Sequence, residues 1–202
     1  MIIVFTGNGK GKTTASLGQM VRVAGRGKKA LMIQFIKGPW ISGEDIFISK
    51  IKSQKSKLEK IDKSLLEEME GFYDLDIRKM GKGFVGILGD KLPREEHIKA
   101  AKEALECFKE ELVPGRPSSA SATAGTWDLI VLDEVNVAVS LGLLKVGEVL
   151  DAIKDVPDDK FVILSGRGAP EEFIEAADLA TEMREIKHPF NDGKMGKIAV
   201  EF

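Results

Sequence analysis

A glycine-rich loop near the start of the printed sequence has the most specific chemical pattern in the chain. It reads GNGKGKTT over residues 7–14 and directly follows an apolar run at residues 1–5. Between a strand and a helix, such a loop binds a triphosphate: backbone N–H groups face phosphate oxygens, the lysine neutralises charge, and the threonine hydroxyl binds Mg²⁺. The predicted nucleotide site therefore consists of Gly7, Asn8, Gly9, Lys10, Gly11, Lys12, Thr13 and Thr14.

The spacing inside this loop is unusual. The common pattern is Gly-x-x-x-x-Gly-Lys, whereas only residues 8–10 separate Gly7 from Gly11 here, and Thr6 stands one position further back. The loop is therefore one residue short, or it begins with a threonine. Either description sets it apart from the loops of ordinary kinases and ATPases.

Two acidic residues, Asp133 and Glu134, end an apolar run at residues 129–132. A carboxylate at the end of a strand beside the phosphate loop can reach the Mg²⁺ held by Thr13. We therefore expect Asp133 and Glu134 at the metal. The same pair could polarise a water molecule for ATP hydrolysis, so the loop and the pair do not define the reaction.

Three further positions are candidate ligand contacts. In the sequence SGRG at residues 165–168, the glycines would let Arg167 approach an anion closely, although a plain tight turn would also explain them. Arg22, near the end of the first predicted helix, suits either a phosphate or the helix dipole. His188 is either a ligand contact or a packed imidazole.

The elements that must position these residues alternate along the chain. Apolar and amphipathic runs predict strands at residues 2–5, 30–36, 129–132, 161–164 and 198–202, and helices at residues 12–24, 93–112, 146–154 and 170–177. Short apolar strands between helices indicate a mostly parallel sheet covered on both faces, with ligands at the carboxyl ends of the strands. The predicted fold class is α/β: a single P-loop (RecA-like) domain over residues 1–202.

Two segments depart from this alternation. Residues 50–73 are rich in charge but repeat apolar residues at helical spacing, which predicts a charged helical insertion docked on the domain rather than a functional basic patch. Residues 114–126 are small and polar, which predicts a flexible surface loop.

The composition excludes several classes of function. The chain has 202 residues, and 30 Lys and Arg against 32 Asp and Glu give a net charge of −2, so nothing attracts it generally to nucleic acid or membrane. The single Cys107 excludes an internal disulfide and a cysteine metal cage. With no targeting segment and no window of about 18 apolar residues, we expect a cytoplasmic protein. His97 and Cys107 are expected to have no chemical role.

Taken in order, several segments resemble the P-loop type ATP:cob(I)alamin (corrinoid) adenosyltransferases. The one-residue-short loop is itself a mark of that family. The matching segments are residues 6–16 (TGNGKGKTTAS), 21–28, 34–44 (QFIKGPWISGE), 80–84 (MGKGF), 127–135 (WDLIVLDEV), 162–168 (VILSGRG) and 182–193 (EMREIKHPFNDG).

The resemblance implies transfer of the 5′-deoxyadenosyl group of MgATP to a reduced corrinoid, with release of triphosphate. Cobalt(I) is then the nucleophile, so the protein need only position the 5′-carbon and stabilise the leaving group. In this family the nucleotide is held with its phosphates reversed relative to other P-loop enzymes. A reduced flavoprotein as electron donor and a homodimer are also implied.

The resemblance also implies roles for individual residues. Lys12, Phe84 and Glu134 are the expected catalytic residues. Arg22 matches an arginine that can reach a phosphate, and His188 matches a histidine near the C-terminus.

The corrinoid side of the site is expected at residues 80–84. Met80 and Phe84 match the segment that approaches the lower face of the corrinoid, where a phenylalanine excludes the axial base from cobalt(II) and makes it easier to reduce. The family has Phe-x-Trp here, whereas this chain has Phe84, Val85 and Gly86.

Two alternatives follow from these residues. One is a RecA-like ATPase or small-molecule kinase that uses Glu134 as a base. The other, suggested by the missing tryptophan, is a corrinoid carrier without catalytic activity.

Overall fold

The computed structural model describes residues 1–61, 74–87, 89–112, 127–189 and 193. The predicted surface loop at residues 114–126 and the predicted strand at residues 198–202 lie outside the described residues. So does the second half of the predicted insertion, residues 62–73. The predicted extent of the domain, residues 1–202, therefore stays a prediction.

The described residues form one parallel sheet with helices packed on it. Its strands are β1 (Ile2–Thr6), β2 (Ala30–Gln34), β3 (Leu75–Lys79), β4 (Leu129–Asp133), β5 (Phe161–Ser165) and β6 (Leu179–Glu182). The helices are α1 (Lys12–Ala24), α2 (Gly43–Ile61), α3 (Arg94–Leu112), α4 (Val135–Ser140), α5 (Val146–Ile153) and α6 (Glu171–Ala176). The strand order is β3-β2-β4-β5-β1-β6, and every pair is parallel. The predicted α/β fold is confirmed.

Helices cover both faces of the sheet because successive strand residues point to opposite sides. Ile130 and Leu132 of β4 pack with Phe108 of α3 in one buried cluster, the first core cluster. Val131, between them, packs with Met20 of α1 in a second cluster on the other face. No helix in the described ranges is long and apolar enough to cross a membrane.

Helix α2 begins earlier than the charged insertion predicted at residues 50–73. Asp45 accepts hydrogen bonds from the backbone N–H of Ser42 at 2.6 Å and from its hydroxyl at 2.7 Å. A side chain that reaches back in this way satisfies donors that the first helical turn leaves open. The helix therefore starts at Gly43, within the segment at residues 34–44.

Edge strand β3 is tied to the rest of the domain by a buried carboxylate. Glu111 of α3 is fully buried and accepts a hydrogen bond from Arg78 of β3 at 2.7 Å and from the Trp127 indole at 2.6 Å. Because β3 leads directly into residues 80–84, these contacts fix where that segment leaves the sheet.

We predict that Glu111→Ala lowers the free energy of unfolding by at least about 2 kcal/mol. The change removes the acceptor of the buried Trp127 indole N–H and leaves the Arg78 guanidinium with the longer 3.5 Å contact to Asp76. Urea unfolding measures the change. Glu110, next to it on α3, is exposed, so Glu110→Ala should cost about 0.5 kcal/mol or less. Equal losses in the two variants would contradict the role given to Glu111.

Candidate active site

The strand register brings the ends of four strands to one edge of the sheet. Gln34 of β2 lies opposite Asp133 of β4, and Phe5 of β1 lies opposite Ser165 of β5. Since β4 and β5 are neighbours, polar side chains that end these strands meet directly below the phosphate loop. Ligands of open parallel sheets bind at this edge.

The phosphate loop is folded around the side chain of Lys12. The Lys12 ammonium is buried and donates hydrogen bonds to the carbonyl oxygens of Gly7 at 2.7 Å and Gly9 at 2.8 Å. Burial lowers the pKa of Lys12, although the carboxyl group of Glu134 opposes the shift. Asn8, Lys10 and Thr14 are exposed around it, where a nucleotide could reach them.

The loop also packs tightly against the chain that follows β6. The Gly9 N–H donates to the carbonyl oxygen of Met183 at 2.6 Å. A Cβ atom at Gly7 would lie 2.4 Å from that same oxygen, and the φ of Gly7 is 92°. Only glycine fits there, because a side chain would clash and the backbone would be strained.

Asp133 is the centre of the hydrogen bonds at this edge. One carboxylate oxygen accepts from the hydroxyls of Thr13 at 2.9 Å and Ser165 at 2.7 Å. The other accepts from the Gln34 amide at 3.1 Å and lies 3.9 Å from the Lys37 ammonium. The buried Asp133 carboxylate thus has donors at both of its oxygens. Because the Thr13 hydroxyl donates to Asp133, the lone pairs of the Thr13 oxygen point away from the carboxylate.

Glu134 has an unusual backbone conformation. Its φ of 62° is the one positive φ of a non-glycine residue among the described positions. Such conformations cost on the order of 1–3 kcal/mol and cluster at functional sites. The turn separates β4 from α4 and places the Glu134 carboxyl group beside the phosphate loop.

The surroundings of the Glu134 carboxyl group disfavour its ionised form. Burial and, next, the charge of Asp133 raise the pKa of Glu134 to about 7, while Lys12, Lys37 and Arg167 oppose the shift. A bound cation would favour the ionised form further.

The donor set at this edge suits Mg²⁺. In the described part of the chain, no three His, Cys, Asp or Glu residues come together as a metal cage. The Thr13 hydroxyl and the Glu134 carboxylate are oxygen donors, however, and Mg²⁺ takes one or two protein ligands and completes its shell with phosphate oxygens and water. Asp133, with both oxygens hydrogen-bonded, fits an orienting role better than direct ligation.

Gln34 and Lys37 are site residues that the sequence motifs did not indicate. For Gln34 the available signal was its place as the polar residue that ends the apolar run ALMIQ. The Lys37 ammonium pairs with Glu44 at 2.9 Å. Burial opposes its charge, but Asp133 and Glu44 outweigh burial and raise the pKa of Lys37.

The other expected site residues lie in different surroundings. Arg167 is exposed at the end of β5 and close enough to Lys12 and Glu134 to affect their pKa values. Arg22 is exposed in the last turn of α1, about 15 Å along the helix from Lys12. The structure does not bring Arg22 into the phosphate loop. His188 is half-buried in the segment that follows β6.

The segment at residues 80–84 runs beside the connection between β2 and α2. The backbone N–H groups of Met80 and Gly81 both donate to the Gln34 carbonyl oxygen at 3.0 Å. Met80 is half-buried against the first core cluster, whereas Phe84 is exposed. Phe84 is therefore the more exposed of the two, while Met80 lines a surface cavity together with Arg78 and Ile98.

His97 and Cys107 make contacts inside the protein. The His97 ring lies 3.0 Å from an Asp90 oxygen, and the Cys107 thiol accepts a hydrogen bond from Arg78 at 3.3 Å. Burial raises the pKa of Cys107, so the thiol stays protonated.

Known proteins match the chain along its whole length. The family model described as ATP:corrinoid adenosyltransferase BtuR/CobO/CobP matches residues 1–202. The corrinoid adenosyltransferase of Escherichia coli (strain K12) is 33% identical over 202 residues, which are 100% of this chain and 85% of the relative. That of Sinorhizobium sp is 36% identical over 203 residues, 100% of this chain and 80% of the relative.

A third relative is the corrinoid adenosyltransferase CobA of Salmonella typhimurium, 31% identical over 202 residues, 100% of this chain and 85% of the relative. The chain belongs to the ATP:corrinoid adenosyltransferase family.

Proposed function

We propose that this protein transfers the 5′-deoxyadenosyl group of MgATP to the cobalt of a reduced corrinoid, giving adenosylcobalamin and triphosphate. ATP:corrinoid adenosylation is the reaction of its family. The observation that carries the proposal is the family match over the whole chain. The contact between Thr13 of the phosphate loop and Asp133 supports it.

The chemistry needs no side-chain nucleophile. Cobalt(I) supplies the electron pair that forms the cobalt–carbon bond, the bond between the 5′-carbon and oxygen breaks, and its electrons leave with the triphosphate. Because no proton is removed from the nucleophile, the protein contributes by positioning the two substrates and stabilising the leaving group.

Lys12 and the loop are proposed to hold the triphosphate. The Lys12 ammonium would exchange a carbonyl contact within the loop for a phosphate oxygen. Backbone N–H groups at the start of α1 add donors with the favourable end of the helix dipole. Arg167 adds positive charge from the end of β5, whereas roles for Arg22 and His188 stay predictions.

Thr13 and Glu134 are proposed to hold Mg²⁺, with Asp133 orienting Thr13. When bound, the metal neutralises charge on the leaving triphosphate. Phe84 is proposed to contact the lower face of the corrinoid and to exclude the axial base of cobalt(II).

ATP hydrolysis is the second candidate, because a carboxyl group with a pKa near 7 suits a general base and that of Glu134 is raised to about 7. Three other expectations stay predictions: a reduced flavoprotein as electron donor, a homodimer and a cytoplasmic location.

The product of ATP tests the proposal directly. With MgATP and chemically reduced cob(I)alamin, we expect a light-sensitive cobalt–carbon product and an equal amount of triphosphate, measured by absorbance and phosphorus NMR. ADP without alkylcorrinoid, formed at a rate that Glu134→Gln abolishes, would instead establish an ATPase. Corrinoid binding without turnover would establish a carrier.

The metal site predicts a specific effect of Thr13→Val. Loss of the hydroxyl should raise the magnesium concentration for half-maximal rate about 10–100-fold. Thr14→Val removes the exposed neighbouring hydroxyl and should leave the magnesium requirement unchanged, whatever its effect on the KM for ATP. A matching shift in both variants would contradict the assignment to Thr13.

Phe84 can be tested by changing the oxidation state of the corrinoid. Phe84→Ala should slow the reaction that starts from cobalt(II) at least about tenfold more than the reaction that starts from pre-reduced cobalt(I), because only cobalt(II) must lose its axial base. Ile87→Ala, at a nearby exposed apolar residue, is the matched control. Equal losses from both starting states would refute the role of Phe84.

A further inference from the structure

We propose that Trp40 is a second aromatic contact for the corrinoid and positions it together with Phe84. This role rests on the function proposed above. Trp40 lies in the connection between β2 and α2, outside the phosphate loop and the acidic pair.

Trp40 and Phe84 form an exposed aromatic pair. Their ring centroids are 5.8 Å apart with the planes tilted by 38°. Trp40 is 61% exposed and Phe84 is 48% exposed. Aromatic rings carry a large apolar area that folding normally buries. Two adjoining rings that stay exposed are therefore suited to pack against a flat ligand.

Two glycines let the backbone pass close under the Trp40 indole. The φ of Gly83 is 108°, and a Cβ atom there would lie 2.8 Å from the indole carbon Cη2. A Cβ atom at Gly38 would lie 3.0 Å from the indole carbon Cζ3. The indole thus rests on backbone from both segments, which a side chain at Gly83 would disturb.

Polar contacts hold both segments in place. The Gly83 N–H donates to the Ile36 carbonyl oxygen at 2.9 Å. The Lys79 ammonium donates to the Trp40 carbonyl oxygen and pairs with Asp45, near the start of α2. The exposed rings are therefore carried on an anchored backbone, and binding need not order it.

The same connection reaches the candidate metal site. Lys37, three residues before Trp40, lies 3.9 Å from Asp133. Three residues of extended chain span at most about 11 Å. A ligand on the aromatic pair would therefore lie at the same edge of the sheet as the proposed nucleotide site, as direct transfer between two substrates requires.

The occupant that fits is the corrinoid ring. It is a broad, largely conjugated macrocycle with amide groups at its periphery, and it is large enough to contact two aromatic side chains at once. Gly86, two residues after Phe84, is exposed and provides no ring. The aromatic surface beside Phe84 comes from Trp40 instead.

The test compares Trp40→Ala and Trp40→Phe with Ile41→Ala. Ile41 is adjacent and 80% exposed, which makes it the matched control. We expect Trp40→Ala to raise the Kd for hydroxocobalamin and the KM for cob(I)alamin about tenfold, with the KM for ATP within twofold of wild type. Trp40→Phe should recover most of the loss, and Ile41→Ala should stay within twofold. Calorimetry gives the Kd, and thermal unfolding verifies that each variant is folded.

Tryptophan fluorescence gives an independent signature. The chain has two tryptophans, and Trp127 is buried beside Glu111. Contact with hydroxocobalamin should quench Trp40 almost completely, whereas Trp127 can be quenched only by energy transfer across the domain. The fraction of emission lost at saturation should therefore be larger in wild type than in Trp40→Phe, and an equal fraction in the two proteins would count against the contact.

Three results would overturn the role of Trp40: a corrinoid Kd within twofold of wild type in Trp40→Ala, an equal rise in the KM for ATP, or no recovery in Trp40→Phe. Binding of hydroxocobalamin requires no turnover. If the wild type binds it but forms no adenosylcorrinoid, the proposed function fails and Trp40 is judged by binding alone. If the wild type does not bind it, both fail.

Discussion

A buried carboxylate must be surrounded by donors, because an ionised group without hydrogen bonds is very costly inside a protein. Asp133 meets this requirement with donors from three parts of the chain: Thr13 at the start of α1, Ser165 at the end of β5 and Gln34 at the end of β2. The ends of these elements must therefore converge around β4. The remaining features of the site depend on that convergence.

The two neighbouring carboxyl groups at this edge are also placed differently. Asp133 uses its oxygens within the protein, whereas the turn at Glu134 places the next carboxyl group beside the loop. The Thr13 hydroxyl donates its hydrogen to Asp133, so the lone pairs of the Thr13 oxygen point away from that carboxylate. One residue thus fixes geometry and its neighbour is free to meet a ligand.

The sequence predicted the central strands and the long helices because their apolar runs are continuous or have helical spacing. It did not predict β3 and β6, which lie at the sheet edges. In β3 (LDIRK) apolar residues are interleaved with charged residues, and the residues of β6 are exposed. Helix α4 (VNVAVS) is short and rich in β-branched residues, and its start depends on a positive φ that no pattern reveals. For the site, local motifs identified the loop and the acidic pair. Lys37 and Trp40 could not be found in this way, because the contacts that bring them to the site, with Asp133 and Phe84, join residues that are distant in sequence.

The hydrogen bonds inside the phosphate loop bear on the release of a charged product. Lys12 is already hydrogen-bonded to carbonyl oxygens of its own loop, and Gly9 to Met183. When a highly charged product dissociates, the Lys12 ammonium and the Gly9 N–H can therefore bond to these carbonyl oxygens and are not left buried without acceptors. Carbonyl oxygens of the loop therefore compete with phosphate oxygens for the Lys12 ammonium. This competition would weaken ATP binding and ease the release of triphosphate.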